Sequence, residues 1–329
     1  MAYTDIDKPS DYFNTKLYTG NGATNRSITG VGFQPDLTWI KARSDTTWHH
    51  LFDAVRGANK ALNSNVSNAE GTVATFPSFD SDGFTVNGAS SGNLNINNQT
   101  NASWNWKKTA DAGFDIVSYS GNNGTNRQIS HSLSAKPDMM IVKCRQAGLW
   151  KIYHSSLGAT KYLVLSDTAA AVDNNSTWND TEPTSSNFTL GDDGNVNETG
   201  ETYINYLFAE KKGYSKFSSY KGNGNANGTF VFLGFEPAFV MFKRATGGAA
   251  PWCMHDSKRS PFNVADERLY ANSDAVEASG GNYGSDFLSN GFKIRTDDNG
   301  WNQSGDTYIY MAFASNPFTT STGVPATAC

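Results

Sequence analysis

Short, mostly apolar runs, each fenced by a proline and a lysine, are the clearest marks along the chain. Pro137 and Lys143 enclose Asp-Met-Met-Ile-Val, and Pro237 and Lys243 enclose Ala-Phe-Val-Met-Phe. Runs of this length predict central strands covered on both faces. Tyr203-Ile-Asn-Tyr-Leu-Phe-Ala209 and Tyr308-Ile-Tyr-Met-Ala-Phe-Ala314 predict further strands, rich in aromatics. Gly/Asn/Asp turns separate these stretches, which together predict an all-β chain of β-sandwich type. The stretch 54–67 fits neither pattern and is read as room for one short helix.

The pattern recurs three times. Tyr18-Thr-Gly-Asn-Gly22 returns as Tyr119-Ser-Gly-Asn-Asn-Gly124 and Tyr220-Lys-Gly-Asn-Gly224. Pro35, Pro137 and Pro237 each stand six residues before a lysine: Lys41, Lys143 and Lys243. A tryptophan follows each lysine by 7, 7 and 9 residues, at Trp48, Trp150 and Trp252. Each repeat then carries a turn with phenylalanine (Phe84, Phe188, Phe292) and a threonine opening a closing strand (Thr100, Thr202, Thr307). These marks divide the chain into an arm at 1–11, three tandem β-sandwich domains at 12–110, 111–212 and 213–318, and a tail at 319–329. Repeats of about 100 residues are long enough to bury a core each, so independent folding is expected. Their linkers are short, which predicts fixed neighbours. The glycine-rich segment after each first strand is read as a hairpin turn, not a phosphate-binding loop, because no strand–loop–helix setting with Lys-Ser/Thr surrounds it.

Composition adds exclusions. Charged residues are only 17%, and Asn alone occurs 34 times. The net charge of −5, divided as about 0, −4 and −1 over the repeats, gives no electrostatic case for nucleic acid or an anionic membrane. No apolar run approaches a membrane span, and the first residues lack the pattern of a secretory signal. The cysteines, Cys144, Cys253 and Cys329, are three and far apart. A disulfide framework or zinc site is therefore not expected, and Cys144 and Cys253 are expected to be reduced and buried.

Candidate chemistry is sparse. The histidines drift in their offset from the tryptophans, so no shared catalytic base is read, and no hydrolase or metalloenzyme motif occurs. No catalytic residue, cofactor or metal ligand is predicted. The acidic loops at 191–195 and 296–300 read either as Asp-Gly turns or as calcium sites, though without the full spacing of an EF-hand loop. The regular charged feature is the tail of each central strand: Lys41 and Arg43, Lys143 and Arg145, Lys243 and Arg244. Two readings stand, solvated charges or contacts to an anionic ligand or subunit. Trp48, Trp150 and Trp252 likewise read either as core residues or as platforms for a sugar ring.

The stretches Tyr18–Gly22, 28–43 and 48–57, with the ending 306–318, carry a resemblance. The chain resembles a repeat domain of unknown function found in marine tailed phages, those of cyanobacteria among them; the match is weaker in the second repeat, where Ala135 replaces Phe. The resemblance implies a lectin-like or jelly-roll sandwich and a non-enzymatic virion protein assembled in the host cytoplasm. Its implied partners are other virion proteins of the tail or the major capsid protein, host-surface glycan, and further copies of itself. The expected role is a tail-fibre or tail-associated adhesin binding neutral glycan weakly per unit and insensitively to salt. Capsid decoration is the runner-up, and a glycan-processing enzyme is the third.

Overall fold

The computed structural model describes residues 3–88, 94–281 and 283–325. Cys329 lies outside the described residues.

The chain is all-β, with antiparallel sheets throughout. The first segment holds β1 (Phe13–Thr19), β2 (Arg26–Thr29), β3 (Leu37–Ala42), β4 (His50–Asp53), β5 (Lys60–Ala61), β6 (Gly71–Thr72), β7 (Ser78–Asp80), β8 (Gly83–Val86) and β9 (Thr100–Trp106). The second holds β10 (Phe114–Ser120), β11 (Arg127–Ser130), β12 (Met139–Cys144), β13 (Trp150–His154), β14 (Lys161–Val164), β15 (Val172–Asp173), α1 (Asn175–Trp178), β16 (Asn187–Leu190), α2 (Gly194–Asn197) and β17 (Thr202–Phe208). The third holds β18 (Ser215–Lys221), β19 (Phe230–Phe232), β20 (Phe235–Arg244), β21 (Cys253–Asp256), β22 (Leu269–Tyr270), β23 (Ser285–Leu288), β24 (Gly291–Ile294), α3 (Asn299–Asn302) and β25 (Thr307–Pro317).

One strand order recurs. The main sheets run β1-β9-β3-β4, β10-β17-β12-β13 and β18-β25-β20-β21, with short additions beyond β13 and β21. In each, the closing strand lies between the opening strand and the proline–lysine strand. A smaller outer sheet covers one face of each: β2-β8-β7, β11-β16 and β19-β24-β23. Leu37, Met139 and Phe239 hold equivalent places, paired with Asp53, His154 and Asp256.

The continuous apolar runs follow from burial on two sides. Along β12, Met140, Val142 and Cys144 enter the core beneath the second outer sheet. Met139 and Ile141 point the other way, into a core that all three main sheets share. There Phe13 stacks on Phe313 at 5.0 Å, Trp106 meets Phe208 at 6.2 Å, and Phe208 meets Phe313 at 5.9 Å. Each main sheet is thus sandwiched between its own outer sheet and the other two main sheets. This arrangement runs against the expectation of independently folding segments, since one face of each main sheet packs into the core it shares with its neighbours.

Two local expectations are also corrected. The 54–67 stretch contains a turn and β5, not a helix; the short helices lie at α1, α2 and α3. The Tyr-x-Gly-Asn segments are not hairpins, because the strands they join belong to different sheets. Each crosses between layers and is pinned there. The hydroxyls of Tyr18, Tyr119 and Tyr220 donate to the carbonyls of Leu94, Val196 and Trp301, each at 2.8 Å. Buried Asn95, Asn197 and Asn302 accept from the backbone N–H of Asn21, Asn122 and Asn223. The glycines are required by close approach: a Cβ on Gly20 or Gly121 would stand 1.9 Å from a carbonyl oxygen.

Candidate functional site

Most of the predicted contact residues lie at the seams between segments. Three equivalent backbone bonds tie the segments into a closed ring. Glu70 N–H donates to the Arg145 carbonyl at 2.7 Å, Ala171 to Ala245 at 3.0 Å, and Glu277 to Arg43 at 2.8 Å. A second set repeats beside them: Gly148 to Ser67 at 2.8 Å, Ala250 to Thr168 at 2.9 Å, and Thr47 to Asp274 at 3.1 Å. The first segment meets the second, the second the third, and the third returns to the first.

The solvated reading of the lysines is corrected. Lys41, Lys143 and Lys243 are all fully buried at the ends of their central strands. Each ammonium donates to the carbonyl of the next residue and to one loop carbonyl. The acceptors are Ala42 and Asp45 for Lys41, Cys144 and Gln146 for Lys143, and Arg244 and Thr168 for Lys243. Burial brings each of the three down to about 8. No exposed anion site remains at these positions; the lysines anchor the loops that form the seams.

Arg145 grips both oxygens of Glu70 in the first segment, at 2.9 Å each. Glu70 also pairs with Arg56 at 3.0 Å, and Arg56 with Asp53 at 2.5 Å. Burial raises the Glu70 carboxyl, but its bonds to Arg145 and Arg56 outweigh this and hold it below its ordinary value. The same network stands at the seam of the third segment with the first. Arg43 pairs with Glu277 at 2.6 Å, Glu277 with Arg259 at 3.0 Å, and Arg259 with Asp256 at 2.5 Å. Asp53 accepts from the Tyr206 hydroxyl of the second segment at 2.8 Å, and Asp256 from the Trp104 indole of the first at 3.0 Å.

At the remaining seam every member changes together. His154, Leu157, Ala171 and Ala245 occupy the places of Asp, Arg, Glu and Arg, and Met311 that of Trp104 and Tyr206. Leu157 and Ala171 pack against the shared core. His154 reaches the Tyr310 carbonyl at 3.1 Å. Arg244 therefore is not the counterpart of Arg43 and Arg145, which is Ala245; Arg244 instead pairs with Asp306 inside its own segment. Sequence reading missed Asp53, Arg56, Glu70, Asp256, Arg259 and Glu277. The Asp-x-x-Arg spacing in two repeats was the available signal.

The tryptophans divide. Trp150 and Trp252 are buried and donate across seams to the carbonyls of Asn63 and Val164, both at 2.9 Å. Neither presents a face to a sugar. Trp48 is 45% exposed and is not their equivalent. That place belongs to His49, one step beyond the Ile40–His50 pair, as Trp150 lies opposite Lys143. His49 accepts from the Trp39 indole at Nδ1, 2.8 Å, so its Nε2 carries the proton toward the Tyr270 carbonyl at 3.0 Å. Burial, with Lys41 beside it, holds its pKa well below 6.5.

The acidic loops act as helix caps. Asp193 caps α2 and pairs with Lys151 at 3.0 Å, and Asp298 caps α3. Among the described residues no group of His, Cys, Asp or Glu is placed to hold a metal ion. Cys144 and Cys253 are buried free thiols.

A family model described as "Domain of unknown function (DUF7483)" matches residues 8–317, and the chain belongs to that family. No curated protein matches it.

Proposed function

For a chain of this family we propose a non-enzymatic structural role on the surface of a tailed-phage particle, as a tail-fibre or tail-associated adhesin. One observation carries the reading: the repeated charged and aromatic side chains are used to bind the three segments to one another. The repeated chemistry of this chain makes a rigid body, and the surface left outside is dominated by Asn, Ser, Thr and Gly loops such as 21–25 and 122–126. Those groups suit sugar hydroxyls, each worth about 0.5–1.5 kcal/mol as a neutral hydrogen bond. Trp48, 45% exposed, is the one tryptophan among the sequence-predicted contacts that reaches the surface. The resemblance to marine phage repeats supplies the particle.

Adsorption of purified protein to host cells across a salt series tests the role. Weak, salt-insensitive adsorption that Trp48→Ala reduces supports it. Steep loss with salt, or none in any form, rejects it.

The closed ring favours a second reading, decoration of the head. A body built of three like parts can seat on three like subunits around a local threefold axis. Copy number per particle separates the two: hundreds for decoration, tens for the tail.

A further inference from the structure

The outer sheets differ at one edge. Ile28, Ile129 and Val231 occupy equivalent inward places, opposite Phe84, Phe188 and Phe292. The outward neighbours are Ser27 and Thr29 in β2 and Gln128 and Ser130 in β11, but Phe230 and Phe232 in β19. These two rings are 43% and 56% exposed. Phe318 and Tyr3 extend the patch, and with Phe232 they line a hollow of about 330 Å³. A second hollow continues past Phe230 toward Ser218 and Tyr310.

β19 is an outermost strand of its sheet. Edge strands that stay single are ordinarily guarded by charge, proline or bulges. The adjoining edge strand β18 carries Lys216 and Lys221, while β2 and β11 open on Arg26 and Arg127. β19 has neither a charge nor a proline.

We propose that β19 is a self-association edge, on which a second copy of this chain pairs its own β19 antiparallel about a two-fold axis near Val231. A strand pairing with itself in this sense is self-complementary, setting Phe230 of each copy against Phe232 of the other. The four exposed rings offer roughly 400 Å² of apolar surface per copy, about half of what one partner contributes to a standard specific interface. The paired backbones and the polar rim supply the rest. That rim carries both signs, Glu210 beside Lys212 and Lys216, with Lys221 at the second hollow; the Lys216 ammonium lies 5.8 Å from the centre of the Phe232 ring, so a second copy shares or displaces that lysine. The inference does not depend on the phage reading.

The test is sedimentation equilibrium of the full chain from about 1 to 100 µM. The chain should dimerise within that range, and Phe230→Gln with Phe232→Ser, the side chains of the second repeat, should weaken the dimer at least tenfold. Phe262→Ser, removing a ring that is 83% exposed outside this patch, should leave it unchanged. Amide exchange at 228–233 in the unaltered chain should slow as concentration rises, a readout that needs no variant. A monomer at all concentrations, a dimer indifferent to the double substitution, or exchange at 228–233 independent of concentration overturns the proposal. Protection of β19 only on an assembled particle, with a monomer in solution, would assign the edge to another protein's strand and overturn it too.

Discussion

At the residue scale, burial and pairing move several groups away from their ordinary titration. His50 and His154 are pushed down to about 4 and His255 to about 3, burial being the first cause in each. The unfolded chain binds protons at these sites near the ordinary value of 6.5, while the folded chain refuses them. Their contribution to stability is therefore complete above about pH 6.5 and is lost as pH falls toward 4. Between about pH 7 and 5 the loss is on the order of 2 kcal/mol per histidine. Urea midpoints across that range should fall steadily; a flat profile would contradict the buried neutral histidines. Glu70 is the second case. Glu70→Gln leaves Arg56 and Arg145 without their shared carboxylate and should cost about 2–4 kcal/mol. Asp11→Asn, which breaks the exposed pair with Lys8, should cost under about 1 kcal/mol. Equal losses in the two variants would refute the distinction.

At the scale of elements, the strands were legible and their surroundings were not. The run between Pro137 and Lys143 announces burial on both faces, and β12 is buried throughout. The same run says nothing of what covers the second face, so the shared core could not be read from one repeat. The tryptophan spacing misled because loops between the central and fourth strands differ in length. His49, not Trp48, fills the place of Trp150. The Lys-x-Arg tails were visible, yet their acceptors, Glu70 and Glu277, lie far along the chain in stretches with no strong pattern. The crossing loops yield a direct prediction. Gly121→Ala drives a Cβ to 1.9 Å from the Glu198 carbonyl oxygen and should cost about 3 kcal/mol or prevent folding. Gly71→Ala, where nothing lies within 4 Å, should be nearly silent. Chemical denaturation of both variants checks the contrast.

At the scale of the molecule, three repeats make one body because each leaves a face that only the others can cover. Two seams use the same Asp–Arg–Glu–Arg network, and the third replaces it with His154, Leu157, Ala171 and Ala245. Matched replacement leaves no member of the network without its partner at the third seam, which matters because an ion left alone at such a depth is costly. The full chain should consequently unfold in one cooperative transition. The most direct measurement is thermal unfolding of the isolated 111–212 segment, followed by near-ultraviolet circular dichroism. Alone, it would expose Ile141, Trp150, Ile204, Tyr206 and Phe208, all part of the shared core. The account predicts no fixed aromatic signal and no cooperative melt for the segment, with both present in the full chain. A monomeric segment with a sharp transition of its own would contradict the shared core as the source of the fold's stability.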